Sequence, residues 1–122
     1  MAKTILIVDD SASIRQLVGM VLTTAGYDVI EGCDGQDALT KLTGRKIHLI
    51  ISDVNMPRMD GISFVKAVKK LPNYKFVPII MLTTESQEAK KREGQAAGAK
   101  AWVVKPFNPA QMLGAVEKLV LP

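Results

Sequence analysis

Near its start the chain reads Ile5-Leu6-Ile7-Val8-Asp9-Asp10, a run of four aliphatic residues followed directly by two carboxylates. Similar short apolar runs recur along the chain and alternate with amphipathic stretches, a pattern typical of consecutive βα units. The runs predict five strands, namely Thr4 to Val8, Tyr27 to Glu31, Ile47 to Ser52, Val77 to Leu82 and Ala101 to Val104. The first, third and fourth are almost wholly apolar, so we expect both of their faces to be buried in a parallel sheet.

Between the predicted strands, apolar residues recur at helical spacing. The first stripe ends near Gly26 and contains Ile14, Leu17, Val18, Val21 and Leu22. The other predicted helices are 38–42 before Gly44, 62–71 before Pro72, Ser86 to Ala97, and a last one capped by Asn108-Pro109 and running to Val120. The helix from Ser86 has little apolar face and contains Gly94, so we expect it to be the loosest of the five.

The alternation predicts an α/β fold with right-handed crossovers and helices on both faces of the sheet. For five strands, a doubly wound parallel sheet of order 2-1-3-4-5 is favoured, which gives a flavodoxin-like three-layer sandwich. A length of 122 residues is typical of one domain, and we expect it to span residues 1–122. Ligands of such sheets bind beyond the carboxyl ends of the strands, where the strand order reverses between strands 1 and 3.

Composition excludes several classes of protein. Cys33 is the only cysteine, so neither an internal disulfide nor a cysteine-based zinc site is possible. No apolar run approaches the roughly 18 residues of a membrane span, and the first residues lack a signal peptide pattern. We therefore expect a cytoplasmic protein without membrane insertion. The net charge of +4 is spread over the chain, so direct binding to nucleic acid is not expected.

Three carboxylates follow the two strands that flank the predicted switch point. Asp9 and Asp10 follow strand 1, and Asp53 follows strand 3. Such carboxylates repel one another unless a cation lies between them, and oxygen ligands with space for water suit Mg²⁺. A helix cap is the alternative role for Asp10. Thr83 and Lys105 end strands 4 and 5, and their hydroxyl and ammonium groups are suited to binding phosphoryl oxygens.

Four segments together resemble the receiver domain of two-component response regulators, and in particular its single-domain CheY-like chemotaxis members. They are Ile5 to Asp10, Asp53-Val54-Asn55-Met56-Pro57-Arg58-Met59-Asp60-Gly61, Met81-Leu82-Thr83-Thr84-Glu85 and Trp102-Val103-Val104-Lys105-Pro106-Phe107. The resemblance implies that Asp53 accepts a phosphoryl group from a partner histidine kinase. It implies that Asp10, Asp53 and the main-chain carbonyl of Asn55 hold Mg²⁺, with Asp9 assisting through water. Thr83 and Lys105 would then bind the phosphoryl oxygens.

The resemblance also implies a switch. Phosphate on Asp53 would draw in Thr83 and vacate space for Trp102, where the family often has Tyr or Phe. The face of helix 4, strand 5 and helix 5 would then bind an output protein that the sequence does not name. Asn55 and Glu85 match residues that favour loss of the phosphate, whereas Thr84 stands where a small residue is usual. Since these influences conflict, no phosphate lifetime is predicted.

Two other functions compete with a stand-alone switch. One is the receiver part of a longer DNA-binding response regulator, although the completed last helix favours a chain that ends here. The other is a Mg²⁺-dependent hydrolase with an aspartyl-phosphate intermediate, which needs a second acid two residues after the nucleophile, where this chain has Asn55. We expect no enzyme beyond self-directed phosphotransfer and autodephosphorylation. We expect a monomer, with dimerisation on phosphorylation left open.

Overall fold

The structure is a computed structural model that describes residues 2–83 and 88–122. Strands and helices alternate along the chain. The strands are β1 Thr4–Val8, β2 Asp28–Gly32, β3 Leu49–Asp53, β4 Ile79–Thr83 and β5 Ala101–Val104. The helices are α1 Ala12–Thr24, α2 Gly35–Lys41, α3 Gly61–Lys69, α4 Glu88–Ala97 and α5 Pro109–Leu119.

The five strands form one parallel sheet of order β2-β1-β3-β4-β5, which confirms the predicted topology. The register pairs Val8 with Ser52 and Asp53 with Leu82. The carboxyl ends of β1, β3 and β4 therefore lie level at one edge of the sheet. The strand order reverses between β1 and β3, so the residues that follow these two strands share the crevice where ligands of such sheets bind.

Helices cover both faces of the sheet. Alternate residues of β1 point to opposite faces, as the pleat of a strand requires. Ile5 and Ile7 pack with residues of α1 and α5, whereas Leu6 and Val8 pack with residues of α2 and α3. All residues of β3 and β4 are buried. This confirms that the central strands are covered on both faces, as their apolar sequences predict.

The starts and ends of β3 and β4 differ from those predicted from the sequence. Ile47 and Val77 are buried but precede β3 and β4, because apolar side chains can pack in the core without joining the ladder of hydrogen bonds. At the other ends, Asp53 and Thr83 are paired strand residues. Pairing with the neighbouring strands therefore fixes the backbone positions of Asp53 and Thr83.

Helix ends follow local signals. The Ser11 hydroxyl accepts a hydrogen bond from the N–H of Ile14, and α1 ends before Gly26, whose φ of 97° is a left-handed conformation. Asn108 caps α5, which confirms the predicted start. Helices α2 and α3 end at Lys41 and Lys69, a few residues before the predicted terminators Gly44 and Pro72. The predicted start of helix 4 at Ser86 lies outside the described residues.

Within the residues that the structure describes, no helix combines the length and apolar character needed to cross a membrane.

Candidate functional site

Asp9, Asp10 and Asp53 meet at the carboxyl edge of the sheet. One carboxylate oxygen of each lies within 4.8 Å of those of the other two. Asp9 and Asp53 are buried, whereas Asp10 is exposed at the rim. Ser11 caps α1, so the alternative role of Asp10 as the cap of that helix is wrong. The predicted convergence of the three carboxylates is confirmed.

Asp9 is the most enclosed of the three. Its side chain has no exposed surface, and its Oδ1 accepts a hydrogen bond of 2.9 Å from the N–H of Ser11. Its Oδ2 accepts no hydrogen bond from any described residue, although Lys105 Nζ lies 3.2 Å away as an ion-pair partner. A buried carboxylate oxygen without a hydrogen bond is costly, and a cation removes that cost.

Asp53 lies between a backbone donor and a cation. Its Oδ1 accepts hydrogen bonds from Lys105 Nζ at 3.0 Å and from the N–H of Val54 at 2.9 Å. Burial raises the pKa of Asp53 and the charge of Asp9 raises it further, although Lys105 and the N–H of Val54 oppose them. The carboxylate is thus held in place while its ionised form is disfavoured, which leaves it in need of positive charge.

Lys105 joins the two buried carboxylates. Burial of its side chain favours the neutral amine, but the hydrogen bond and charge of Asp53 and the charge of Asp9 outweigh burial. The pKa of Lys105 is therefore raised above its ordinary value, and the group is a fixed ammonium at neutral pH. The peptide bond between Lys105 and Pro106 is cis, a point that the sequence leaves open.

Thr83 and Asn55 complete the predicted set. Thr83 ends β4 next to β3 and is buried, with 3% of its surface exposed. Asn55 is exposed in the loop that follows β3. That loop returns tightly, because the N–H of Gly61 donates a 2.7 Å hydrogen bond to the carbonyl of Val54. A Cβ atom on Gly61 would overlap the carbonyl oxygen of Asp53, so only glycine fits there.

Trp102 lies in β5, partly buried, on the sheet face that carries α2 and α3. Its indole ring is so close to α4 that a Cβ atom on Gly94 would overlap Cζ3 of the ring. Gly94, which lowers the helix propensity of α4, therefore leaves room for the indole ring. Thr84 and Glu85, which the sequence relates to phosphate lifetime, lie outside the described residues.

Two arginines near the site were missed from the sequence. Arg15 donates a 2.6 Å hydrogen bond to the main-chain carbonyl of Asp9 and pairs with Glu31 at 3.1 Å. Arg58, in the loop after β3, pairs with the buried carboxylate of Asp34. The only signal for Arg15 is its place in the first turns of the helix after Asp10, and no local pattern links Arg58 to Asp34.

The chemistry of this donor set fits a divalent cation. Two buried carboxylates and a third at the rim supply hard oxygen ligands, and one oxygen of the buried Asp9 accepts no hydrogen bond from the described residues. A half-open oxygen site with room for water is the arrangement that Mg²⁺ favours. The acidic cluster could therefore hold Mg²⁺.

Comparison with known proteins decides the family. The model of the response regulator receiver domain matches residues 5–117. The chain belongs to the response regulator receiver domain family. It is 38% identical over 121 residues to the chemotaxis protein CheY of Thermotoga maritima, and the match covers 98% of each chain. The relatives also include longer transcriptional regulators, and this receiver domain spans 52% of one of them.

Solved structures agree with this family. The chemotaxis protein CheY4 of Vibrio cholerae superposes with a TM-score of 0.93 at 50% identity, covering 98% of this chain and all of that one. The receiver domain of a sensor histidine kinase from Pseudomonas aeruginosa, 25% identical, superposes with a TM-score of 0.89 over 98% of both chains. That structure holds a magnesium ion in its active-site cleft. The protein is thus a CheY-like receiver domain of a two-component system.

Proposed function

We propose that this receiver domain accepts a phosphoryl group on Asp53 from a partner histidine kinase, in a Mg²⁺-dependent reaction. The observation that carries the proposal is the position of Asp53, a buried carboxylate within 4.8 Å of Asp9 and Asp10 and hydrogen-bonded to Lys105. The Asp53 carboxylate is therefore held by hydrogen bonds at the end of β3, at the carboxyl edge of the sheet. The negative charges of Asp9 and Asp10 beside it can be neutralised by a cation.

The transfer forms one bond and breaks another. A carboxylate oxygen of Asp53 attacks the phosphorus of a phosphohistidine, and the P–N bond breaks as the new O–P bond forms. The electron pair of the P–N bond stays with the imidazole nitrogen, which takes up a proton as it leaves. Mg²⁺ held by Asp10, Asp53 and the main-chain carbonyl of Asn55, with Asp9 assisting through water, would neutralise charge on the phosphoryl oxygens.

Lys105 and Thr83 would bind the phosphoryl oxygens. Lys105 already carries a fixed positive charge 3.0 Å from the Asp53 carboxylate, so it needs little movement to meet a phosphoryl oxygen bonded to Asp53. Thr83 ends the strand next to β3 and supplies a hydroxyl at the same edge. Transfer of this kind depends mainly on positioning and charge neutralisation, which these residues supply.

The protein is a phosphoacceptor and not an enzyme acting on other substrates. Its chemistry is limited to transfer onto its own Asp53 and loss of that phosphate to water. A Mg²⁺-dependent phosphohydrolase is the less favoured alternative, because Asn55 stands where a second acid would act as general acid or base.

Phosphorylation would change the face formed by α4, β5 and α5. A phosphate on Asp53 would give Thr83 a charged partner. Trp102 belongs to β5 and its partly buried ring packs against Gly94 of α4, so a shift of either element would move the ring. An output protein would bind this face. Since its relatives include both chemotaxis proteins and longer regulators, the output is a chemotaxis partner or, in the alternative, a DNA-binding domain on the same chain.

Intact mass after incubation with acetyl phosphate and Mg²⁺ tests the proposal. The wild type gains the mass of one phosphoryl group, whereas Asp53→Asn gains none. Asp28→Asn, at the amino edge of the sheet, is the matched control and is modified like the wild type. Phosphorylation of Asp53→Asn, or none of the wild type, would exclude Asp53 as the acceptor. Sustained turnover of p-nitrophenyl phosphate would instead favour the hydrolase.

A further inference from the structure

Two adjacent residues of the loop over residues 54–60 contact the start of α2. Arg58 donates hydrogen bonds from Nε, at 2.8 Å, and from a terminal nitrogen to one carboxylate oxygen of Asp34. Next to it, the side chain of Met59 lies so close to Gly35 that a Cβ atom there would be 2.8 Å from Met59 Cγ. Both contacts join the loop after β3 to the turn after β2.

These contacts cross the end of β1. The sheet order places β1 between β2 and β3, so a link from the β2 turn to the β3 loop spans the end of β1, which Asp9 and Asp10 follow. The loop that it holds also carries the main-chain carbonyl of Asn55. The link between Arg58 and Asp34 therefore lies at the same edge of the sheet as the carboxylate cluster.

The carboxylate of Asp34 is buried and held by hydrogen bonds from two residues. Only 1% of its side chain is exposed, and its Oδ1 also accepts the N–H of Asp37 at 2.8 Å as the cap of α2. The N–H of Asp37 and the guanidinium of Arg58 hold the pKa of Asp34 below its ordinary value, so the carboxylate stays ionised.

The backbone of Arg58 is held in an uncommon conformation. Its φ of 66° is in the left-handed region, and among the described residues no other non-glycine residue has a positive φ. Such a conformation persists only where surrounding contacts determine it. The ion pair with Asp34 is one such surrounding contact.

We propose that Arg58 is a positioning residue for divalent-cation binding, because its ion pair with Asp34 fixes the loop that carries the Asn55 carbonyl. The proposal rests on the function proposed above, in which that carbonyl is a ligand of Mg²⁺. Arg58 is not one of the residues proposed to hold the cation or the phosphoryl group.

If Arg58 acts only through its charge, its removal should strengthen Mg²⁺ binding, whereas if it positions the loop, its removal should weaken Mg²⁺ binding. Removing a positive charge near three carboxylates strengthens Mg²⁺ binding if charge alone matters. Removing the link weakens binding, because the loop must then be ordered when the cation binds. Arg58→Lys separates the two further, since lysine keeps the charge but lacks the planar guanidinium that donates two hydrogen bonds to Asp34.

Isothermal titration with Mg²⁺ tests the proposal on wild type, Arg58→Ala and Arg58→Lys. We expect both variants to bind Mg²⁺ about tenfold more weakly, the lower end of the effect of losing a group that orients a metal ligand. Lys41→Ala is the matched control, because it removes a cation from α2 whose partners, Asp37 and the carbonyl of Glu31, both lie outside the loop. It should bind Mg²⁺ like the wild type. Equal or tighter binding by Arg58→Ala would overturn the proposal.

Amide hydrogen exchange without Mg²⁺ gives a second measurement that does not depend on the metal. The N–H groups of Met59 and Gly61 bond to the carbonyls of Pro57 and Val54, both at 2.7 Å. We expect both to exchange faster in Arg58→Ala and Arg58→Lys and unchanged in Lys41→Ala. Unchanged exchange in the Arg58 variants would show that the ion pair does not hold the loop. A wild type that binds no Mg²⁺ would overturn the metal site of the proposed function, while exchange would still decide whether Arg58 holds the loop.

Discussion

Lys105 donates a 3.0 Å hydrogen bond from Nζ to Oδ1 of Asp53. The same ammonium group lies 3.2 Å from Oδ2 of Asp9, so one cation pairs with both buried carboxylates. In the absence of a metal ion, Lys105 therefore supplies the charge that the site requires. Under the proposed function, Lys105 would favour phosphoryl transfer and would compete with Mg²⁺ for the same oxygens.

Lys105→Met tests these two roles together. We expect tighter Mg²⁺ binding in isothermal titration, because the competing ammonium is gone. We expect phosphorylation by acetyl phosphate to slow by about 100-fold, the lower end of the effect of removing one preorganised donor. Lys118→Met, on the exposed side of α5, is the control and should change neither. Weaker Mg²⁺ binding by Lys105→Met would contradict this account.

Asp53→Asn should stabilise the protein without Mg²⁺ at neutral pH. Burial raises the folded pKa of Asp53 above its ordinary value of 3.8. The native state then binds more protons at Asp53 than the unfolded state, so the contribution of Asp53 to stability is greatest below pH 3.8 and is lost as pH rises through the folded pKa. Asparagine does not titrate and avoids that loss.

Urea denaturation in EDTA measures this effect. Asp53→Asn should have a higher midpoint than the wild type at pH 7, and the difference should shrink as the pH falls toward 3.8. Asp28→Asn controls for loss of an exposed carboxylate. A difference that grows on acidification would mean that Lys105 stabilises the Asp53 carboxylate more than burial destabilises it.

The position of the carboxylate cluster was predictable because it depends on the sheet alone. Once the apolar runs of β1 and β3 are recognised, parallel pairing brings Asp9 and Asp53 to one edge without any knowledge of side-chain contacts. The ends of the strands were less predictable. Ile47 is as apolar as a strand residue but lies outside the ladder, since burial and pairing are separate properties.

The contacts that hold the site were not predictable from the sequence. Arg58 and Asp34 are 24 residues apart, in segments that follow different strands, so no local sequence pattern predicts that they pair. Likewise, Arg15 reaches a main-chain carbonyl, which has the same chemistry in every residue and leaves no trace in the sequence. Contacts of this kind depend on loop geometry, which hydrophobic periodicity does not describe.

Asp9→Asn should weaken Mg²⁺ binding by at least about tenfold, as expected for a group that orients a metal ligand or its water. The substitution removes one buried negative charge, and the neutral amide that replaces the carboxylate is a weaker ligand for a cation. Isothermal titration measures the affinity, with Asp28→Asn as the charge-matched control. The variant should also be more stable than the wild type in EDTA, because Asp9 raises the pKa of Asp53 by repulsion. Unchanged Mg²⁺ affinity would remove Asp9 from the metal site.

Gly94 and Trp102 form a pair of small and large residues whose substitutions should not be additive. Alanine in place of a helix-interior glycine stabilises a helix by roughly 1 kcal/mol. At Gly94 this gain is opposed, because the new Cβ atom would overlap the indole of Trp102. At Gly114 in α5 a Cβ atom meets no atom of the described residues within 4 Å, so Gly114→Ala is the matched control.

We therefore expect Gly114→Ala to raise the free energy of unfolding by up to about 1 kcal/mol and Gly94→Ala to lower it or leave it unchanged. In a Trp102→Phe background the smaller ring lacks Cζ3, and Gly94→Ala should then stabilise as Gly114→Ala does. Trp102 fluorescence should shift to longer wavelength in Gly94→Ala as the ring moves toward water. If Gly94→Ala stabilises the wild type as much as it stabilises Trp102→Phe, the indole does not occupy the space above Gly94, and Trp102 is not coupled to α4.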